Sequence, residues 1–327
     1  MILAGDIGGT NTRLALFDAD AGRVRIRHEK TFPSRERASL EAALEEFLSL
    51  HRAAFTRASF GIAGPVRNGR CEATNLPWVV DAASVAKRLR LRRAGLVNDL
   101  VANAHGIVQL GSRDFVTLNR GARNASGNRA LISAGTGLGE AGLLWDGQAH
   151  VPFASEGGHA DFAPRNRLEM ELLEYLMARH GRVSYERILS GPGLANVYSF
   201  LKDSGKGQEP PWLARELAQG DPAPAISRLA LEGKSPLCSR ALDLFVAIYG
   251  AEAGNLALKV MATGGVYLGG GIAPKIVARL KEPEFLNAFK AKGRLGPLLL
   301  DIPVRVIMNP KTALLGAARH AALGLKD

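Results

Sequence analysis

A short segment near the start of the chain combines a carboxylate with a turn that carries little side-chain bulk. Asp6 ends an apolar run, and Gly8, Gly9, Thr10 and Asn11 follow before the apolar residues resume. This pattern predicts a β-hairpin whose glycines let backbone N–H groups surround an anion. A carboxylate beside such a turn can hold hydrated Mg²⁺ next to bound phosphates. The segment favours phosphate binding, and the alternative is a tight hairpin with incidental glycines.

A second turn of similar composition occurs well over a hundred residues later. An apolar strand leads into Gly135, Thr136 and Gly137, and another apolar strand returns from them. Two such hairpins indicate a duplicated fold with a phosphate loop from each half. Both differ from the Walker-type loop and the dinucleotide fingerprint, which lead from a strand into a helix.

A candidate general base lies where a predicted strand ends. Asp99 follows Asn98 at the junction between an apolar strand and an apolar helix. Strand ends in open α/β sheets face the ligand crevice, and a carboxylate there can accept a proton from a hydroxyl group. The alternative is that Asp99 only caps the helix. The local sequence leaves both possibilities open.

Another candidate cluster surrounds a pair of glycines. Glu156 and His159 flank Gly157 and Gly158, so both side chains could reach one ligand. A carboxylate and an imidazole suit sugar hydroxyls, which both donate and accept hydrogen bonds. His159 and Asp161 could instead be metal ligands, although further ligands at a spacing suitable for zinc are not obvious. A structural histidine in a turn is the remaining alternative.

Three further signals are weak when each is taken alone. Glu186 could contact a ligand or could be favoured near a helix start by the helix dipole alone. Gly270 and Gly271 could lie flat against an adenine or a ribose, or could simply connect a strand to a helix. Thr74 and Asn75 could reach a substrate or could stabilise a loop.

The secondary structure that the sequence predicts around these residues indicates an α/β protein. Strands and helices alternate along the chain, and 327 residues are enough for two domains of ordinary size. A long buried helix is predicted over 237–258, a final helix over 312–323, and a helix that begins near Pro274. Residues 202–224 predict a surface loop with one short helix.

The composition narrows the function classes. The net charge is +11, but the cationic residues are spread along the chain, and the densest run, 87–93, predicts a solvated helix face without aromatic residues that could stack on bases. We therefore expect no nucleic-acid partner. Cys71 and Cys238 form no metal or redox motif, and no apolar stretch reaches the roughly 20 residues of a membrane span. We expect no signal peptide and no membrane partner, and we predict a cytoplasmic protein.

Taken together, the motifs resemble the bacterial glucokinase family, in the branch that lacks the cysteine-rich zinc motif of the ROK group. The resemblance extends from Gly5 to Gly316 and is carried by the segments Gly5–Asn11, Thr74–Asn75, Asn98–Asp99, Ala134–Gly139, Glu156–Pro164 and Leu189–Gly193. It implies two ribonuclease-H-like α/β domains of the actin/hexokinase type around a hinged cleft. The smaller domain would be 1–109, completed by a C-terminal helix over 311–327, and the larger would be 110–310.

The resemblance also implies an activity. The chain would transfer the γ-phosphoryl group of MgATP to the 6-hydroxyl of glucose, as a cytoplasmic, homodimeric enzyme of glycolysis, with Asp99 as the general base. The residues that would hold the other sugar hydroxyls or lie near them are Asn98, Glu156, His159, Glu186, Thr74 and Asn75. The residues that would hold ATP are Gly8, Gly9, Thr10, Asn11, Gly135, Thr136, Gly137, Gly270 and Gly271. Asp6 would orient Mg²⁺ through water.

One departure and three alternatives accompany this resemblance. Lys311 stands where a smaller residue is expected, at the nucleotide edge. An ATP-dependent kinase of mannose, fructose or an N-acetylated amino sugar would share the same fold. A sugar-sensing regulator would need a helix-turn-helix, which we do not expect before Leu3. A non-catalytic ATPase of the actin or chaperone kind would have no use for the cluster Glu156–His159.

Overall fold

The computed structural model describes residues 1–20 and 22–324, which form a mixed α/β protein. The predicted α/β class is confirmed. Contacts divide the chain into two compact units. The first unit comprises Met1–Asp114, Val151–Ala154 and Asn309–Asp327, and the second comprises Phe115–His150 and Ser155–Met308.

Strands dominate the first half of the chain and helices the second. The strands are β1 (Ile2–Ile7), β2 (Asn11–Asp20), β3 (Arg23–Pro33), β4 (Arg57–Ile62), β5 (Arg70–Glu72), β6 (Val79–Asp81), β7 (Gly95–Asn98), β8 (Phe115–Asn119), β9 (Arg129–Ala134), β10 (Leu138–Trp145), β11 (His150–Ser155), β12 (Gly265–Gly269) and β13 (Val304–Ile307). The α-helices are α1 (Leu40–Leu50), α2 (Ala82–Arg88), α3 (Asp99–Ile107), α4 (Arg167–His180), α5 (Gly191–Asp203), α6 (Pro211–Leu217), α7 (Pro222–Leu231), α8 (Pro236–Lys259), α9 (Val277–Leu280), α10 (Pro283–Lys290), α11 (Gly296–Leu300) and α12 (Thr312–Ala322).

The first unit is built on a sheet with the strand order β3-β2-β1-β4-β7. β1 pairs with β2 in antiparallel orientation and with β4 in parallel, and β4 pairs in parallel with β7. In this register Ile7 lies beside Ile62, and Ile62 lies beside Asn98. Because parallel strands end at the same edge of a sheet, the turn after β1 and the start of α3 lie at one edge.

Alternation along β1 separates two apolar faces of the first sheet. Leu3 belongs to a core with Phe47 of α1, whereas Ala4 belongs to a core with Leu314 of α12. α1 begins after Ser39, whose side chain accepts a hydrogen bond from the N–H of Ala42.

α3 and α12 pack with their backbones in contact. A Cβ atom on Gly316 would lie 1.7 Å from the carbonyl oxygen of Ala102, and one on Gly106 would lie 2.0 Å from the carbonyl oxygen of Thr312. No side chain fits in either place. The last three residues of the helix predicted over 311–327 lie outside the described residues, and α12 itself ends at Ala322.

The second sheet has the order β11-β10-β9-β12-β13-β8. β10 is antiparallel to β9, whereas β12 runs parallel to both β9 and β13. α8 contributes Phe245, Tyr249 and Leu256 to the core of this unit. Among the described residues, α8 is the helix that is long and apolar enough to cross a membrane, but 78% of its apolar window is buried. The predicted long buried helix is confirmed as a core helix.

Two local predictions have different outcomes. The segment 202–224 contains one short helix, α6, between the end of α5 and the start of α7, as predicted. The helix predicted to begin near Pro274 is present as α9 but begins three residues later, at Val277, because consecutive turns follow β12. Gly270 adopts a φ of 80°, which turns the chain away from a helical path directly after the strand.

Candidate active site

The first glycine turn connects β1 to β2 and is held by a buried serine. The N–H of Gly8 donates to the carbonyl oxygen of Asn11 at 3.0 Å. Ser34 donates through Oγ to the carbonyl oxygen of Gly8 at 2.7 Å, and its N–H donates to the carbonyl oxygen of Thr10 at 2.9 Å. The side chains of Thr10 and Asn11 are exposed. Ser34 was not predicted, because nothing in its local sequence relates it to a turn more than twenty residues earlier.

Asp6 stands at the end of β1, and the predicted Thr74–Asn75 loop meets the same turn. Asp6 is opposite Arg13 in the β1–β2 register. Burial raises the pKa of Asp6 to about 6, and the charge of Arg13 opposes that rise. A Cβ atom on Gly9 would lie 2.7 Å from the Cβ atom of Asn75. The structure therefore brings the predicted phosphate turn and the predicted substrate loop together.

The capping position of α3 is occupied by Asn98 rather than by Asp99. Asn98 Oδ1 accepts the N–H of Leu100 at 2.9 Å, and its Nδ2 donates to the carbonyl oxygen of Gly64 at 3.1 Å. Asp99 Oδ1 shares the N–H of Leu100 at 3.0 Å. Burial raises the pKa of the Cys71 thiol, and the charge of Asp99 adds to that effect. Asp99 is thus the first helical residue, at the sheet edge where β1 and β4 end.

In the second unit, the turn between β9 and β10 lies against the glycine turn after β12. The N–H of Gly135 donates to the carbonyl oxygen of Gly137 at 2.8 Å. The carbonyl oxygen of Ala134 accepts the N–H of Ile272 at 3.1 Å, and a Cβ atom on Gly270 would lie 2.2 Å from that same oxygen. The two segments predicted to hold nucleotide are therefore adjacent at one edge of the second sheet.

Glu186 links the second turn to His159. Its Oε2 accepts the N–H of Leu138 at 2.9 Å, and a Cβ atom on Gly137 would lie 2.5 Å from the same oxygen. Its Oε1 lies 3.9 Å from Nδ1 of His159. Glu186 belongs to the single 3-10 turn Tyr185–Arg187, so it does not stand early in an α-helix. One carboxylate thus contacts both a predicted phosphate turn and a predicted sugar ligand.

The pair of glycines in the segment Glu156–His159 is explained by β10. The segment contains one 3-10 turn, Gly157–His159. A Cβ atom on Gly158 would lie 2.0 Å from the carbonyl oxygen of Leu138, and one on Gly157 would lie 1.9 Å from Oε2 of Glu140. The turn approaches β10 so closely that it has no room for side chains at these positions. Glu156 and His159 lie on either side of the glycine pair, and the side chain of His159 is exposed.

Arg182 secures the carboxyl end of this turn. Its Nε donates to Oδ1 of Asp161 at 2.8 Å, and its guanidinium also donates to the carbonyl oxygen of His159. The carboxylate of Asp161 is therefore engaged by an arginine, which would compete with the metal-ligand alternative. Arg182 lies more than twenty residues from His159 in sequence, so no local pattern indicates this contact.

The predicted site residues are thus divided between the two units. The first unit holds Asp6, Gly8, Gly9, Thr10, Asn11, Thr74, Asn75, Asn98 and Asp99. The second unit holds Gly135, Thr136, Gly137, Glu156, His159, Glu186, Gly270 and Gly271. Lys311, the noted departure, forms an ion pair with Glu29 in the first unit.

Comparison with known proteins shows which families and structures this chain is similar to. A sequence model of the family described as "Glucokinase" matches residues 3–323. The glucokinase of Nostoc sp. (strain PCC 7120) is 42% identical over 338 residues, which cover 98% of this chain and 99% of that protein. The crystal structure of a glucokinase from an Antarctic psychrotroph superposes with a TM-score of 0.86 at 34% identity and covers 99% of each chain.

A more distant structure shares the fold alone. A ROK family glucokinase from Streptomyces griseus, solved in complex with glucose and AMPPNP, has a TM-score of 0.66 at 20% identity and covers 99% of each chain. The closer matches define the class of this protein, which is an ATP-dependent hexose kinase. Within that class, the chain belongs to the glucokinase family. The family and the enzyme class predicted from the motifs are both confirmed.

Proposed function

We propose that this chain transfers the γ-phosphoryl group of MgATP to the 6-hydroxyl of glucose and releases glucose 6-phosphate and ADP. The observation that carries the proposal is that each unit presents a glycine turn at a sheet edge beside polar groups suited to a sugar. In the first unit Asp99 lies at the edge that also carries Gly8, and in the second Glu186 joins Gly137 to His159.

Asp99 is proposed as the general base that accepts the proton of the 6-hydroxyl. Phosphoryl transfer needs in-line placement and charge neutralisation more than a strong base, so an ordinary carboxylate is sufficient. Asn98 would hold a neighbouring hydroxyl. Its amide uses one proton for Gly64 and one acceptor position for Leu100, which leaves a second proton and a second lone pair.

The remaining sugar contacts would come from polar side chains of both units. Glu156, His159 and Glu186 would meet sugar hydroxyls from the second unit, with Thr74 and Asn75 nearby from the first. The contact between Glu186 and the N–H of Leu138 holds one carboxylate oxygen in place and directs the other toward His159. A carboxylate fixed in this way is preorganised for hydroxyl donors.

The nucleotide would be held by both glycine turns, Gly8–Asn11 and Gly135–Gly137. Gly271 would lie against the adenosine with Gly270, and a Cβ atom on Gly271 would meet nothing within 4 Å, so this face of the turn is open. Asp6 would orient hydrated Mg²⁺, whose charge offsets the charge that develops on the phosphoryl oxygens. The raised pKa of Asp6, about 6, fits a carboxylate that gains from a nearby cation.

We further propose that the two units are ribonuclease-H-like domains of the actin/hexokinase type, divided near 110 and 310 and hinged about a cleft. Closure on the sugar would exclude water, which otherwise could accept the phosphoryl group. The enzyme would act in the cytoplasm as a homodimer.

A coupled assay of ADP release tests this function. We expect ADP release from MgATP to require glucose and to be slower with mannose, fructose and an N-acetylated amino sugar. If ADP release is faster with one of those sugars than with glucose, that sugar is the substrate instead. ADP release that is independent of any sugar would overturn the proposal in favour of an ATPase.

A further inference from the structure

Glu140 is a carboxyl group buried beneath the turn Glu156–His159, and the proposed reaction gives it no role. It lies in β10 with 1% of its surface exposed. Its Oε2 would be 1.9 Å from a Cβ atom on Gly157, so the carboxyl group supports the turn directly. Among the described residues, its Oε1 has no ordinary hydrogen-bond donor. A buried carboxylate without donors is costly, so its protonation state needs an explanation.

The explanation lies in Glu252 of α8, whose side chain is completely buried and whose charge adds to the effect of burial on the pKa of Glu140. Glu252 already accepts the Nδ2 of Asn255 at 2.8 Å and the Nζ of Lys259 at 3.4 Å. Two carboxyl groups can form a hydrogen bond only when one of them holds a proton. Because two donors already stabilise the negative charge of Glu252, the proton belongs on Glu140.

The electrostatics of this site agree with that assignment. Burial and the charge of Glu252 raise the pKa of Glu140 well above its ordinary value, and the charge of Lys259 opposes the rise only in part. The charged and titratable groups around the pair include Lys259, Tyr185, Tyr249, Lys292 and Arg165. Burial, followed by the charge of Glu252, likewise raises the pKa of Tyr185, so that phenol stays neutral.

We propose that Glu140 is a positioning residue for the sugar-binding turn Glu156–His159. As a neutral acid it donates a hydrogen bond to Glu252 and so fixes the distance of that turn from β10. This inference rests on the proposed function, in which that turn contacts glucose. Loss of the proton would place two negative charges side by side beneath Gly157. Loss of the side chain would leave a cavity there. Either change displaces Glu156 and His159 relative to the sugar.

Two substitutions separate these effects. Glu140→Gln retains the size of the side chain, and its amide can donate to Glu252 in place of the acid. Because the turn stays in position, we expect a glucose KM within about twofold of the unchanged protein at neutral pH. Glu140→Ala removes the support, and we expect the glucose KM to rise by about tenfold or more, since small misplacements of binding groups are costly. The ATP KM should stay within about twofold in both variants.

The pH profile supplies a readout that loss of stability alone would not change. As the pH rises through the raised pKa of Glu140, the unchanged protein loses the shared proton, and its glucose KM should increase. In Glu140→Gln this increase should be absent, because no proton is lost there. Tyr185, Lys259 and Lys292 are present in both proteins, so the difference between the two profiles reports Glu140. This comparison needs no destabilised variant.

Leu256→Ala is the matched control. Leu256 is buried like Glu140, but it lies on α8 and belongs to the apolar core. It should lower the melting temperature and leave the glucose KM unchanged. The positioning role is overturned if the profiles of the unchanged protein and Glu140→Gln coincide, or if Glu140→Ala raises the glucose KM no more than Leu256→Ala does. Glucose-dependent ADP release by the unchanged protein, measured alongside, tests the proposed function separately.

Discussion

Asp99 and Asn98 are adjacent, and both side chains accept the N–H of Leu100. Asn98 caps α3 and binds the carbonyl oxygen of Gly64, so the start of the helix does not depend on Asp99 alone. The carboxylate of Asp99 can therefore be altered at the sheet edge without removing the cap. A substitution of Asp99 alone therefore tests its proposed catalytic role while Asn98 keeps the helix cap.

We predict that Asp99→Asn lowers kcat by roughly 10²- to 10⁴-fold, the usual contribution of a general base. Glucose binding and the melting temperature should change little, because the amide keeps the size of the side chain and Asn98 keeps the cap. The measurements are kcat, equilibrium glucose binding and thermal unfolding. Asp81→Ala is the control, because Asp81 caps α2 by accepting the N–H of Ser84. It should reduce stability without reducing kcat. Near-normal turnover of Asp99→Asn would refute the assignment.

Glu186 makes a second prediction at this scale, because its carboxylate serves two segments. We predict that Glu186→Ala raises the KM for ATP as well as for glucose, since the N–H of Leu138 loses its acceptor, at a cost of about 1–3 kcal/mol. His159→Ala should raise the KM for glucose alone. Steady-state kinetics with each substrate varied in turn would decide this. An unchanged ATP KM in Glu186→Ala would show that the second glycine turn does not depend on this contact.

Among the elements, the pair α3 and α12 shows how a distant segment positions the proposed base. The pair meets at Gly106 and Gly316, where the backbones leave no room for side chains. α3 carries Asp99 at its first position. The C-terminal helix therefore fixes the helix on which the base stands, although it contributes no predicted ligand-binding residue itself.

We predict that Gly316→Ala destabilises the first unit by more than about 4 kcal/mol, because its Cβ would lie 1.7 Å from the carbonyl oxygen of Ala102 and the helices would have to separate. Chemical denaturation would measure the loss. Gly111→Ala is the control, since a Cβ there meets nothing closer than 3.8 Å. It should change stability only slightly. Equal effects of the two substitutions would show that the helices can adjust without cost.

For the whole molecule, a partly buried histidine contributes to the pH dependence of stability. Burial lowers the pKa of His105 from 6.5 to about 3, and the nearby His320 and Arg319 add to the effect. Above pH 6.5 the ring is neutral in both the folded and the unfolded chain. As the pH falls from 6.5 toward 3, the unfolded chain gains a proton that the folded chain cannot bind. The titration of His105 by itself therefore lowers stability on acidification, whereas the raised pKa values of Asp6 and Glu140 act in the opposite direction.

We predict that His105 contributes a loss of up to about 1.4 kcal/mol per pH unit to the free energy of unfolding below pH 6.5. His105→Phe keeps a ring at this position and removes the titration, so on acidification its free energy of unfolding should fall less, or rise more, than that of the unchanged protein. Urea denaturation between about pH 4 and 7 would measure both slopes. Parallel slopes for the unchanged protein and His105→Phe would exclude His105 as the source.

Much of the fold could be predicted because its signals are local. Apolar periodicity and a capping serine locate α1, and a long apolar pattern locates α8. Each glycine turn lies between two apolar strands. The helix predicted near Pro274 begins only at Val277 because the turns after β12 depend on Gly270 packing against the carbonyl oxygen of Ala134, and this contact joins residues that are far apart in the chain.

The sequence by itself determined the α/β class, the family, and the residue types that can bind phosphate and sugar, because each of these depends on short patterns of side chains. Only the tertiary structure decided that Ser34 secures the first turn, that Arg182 secures the turn Glu156–His159, and that Glu140 lies beneath that turn. The physical reason is the same in each case. A hydrogen bond or a close packing contact between segments distant in the chain leaves no periodic or compositional signal in either segment, so it exists only once the chain has folded.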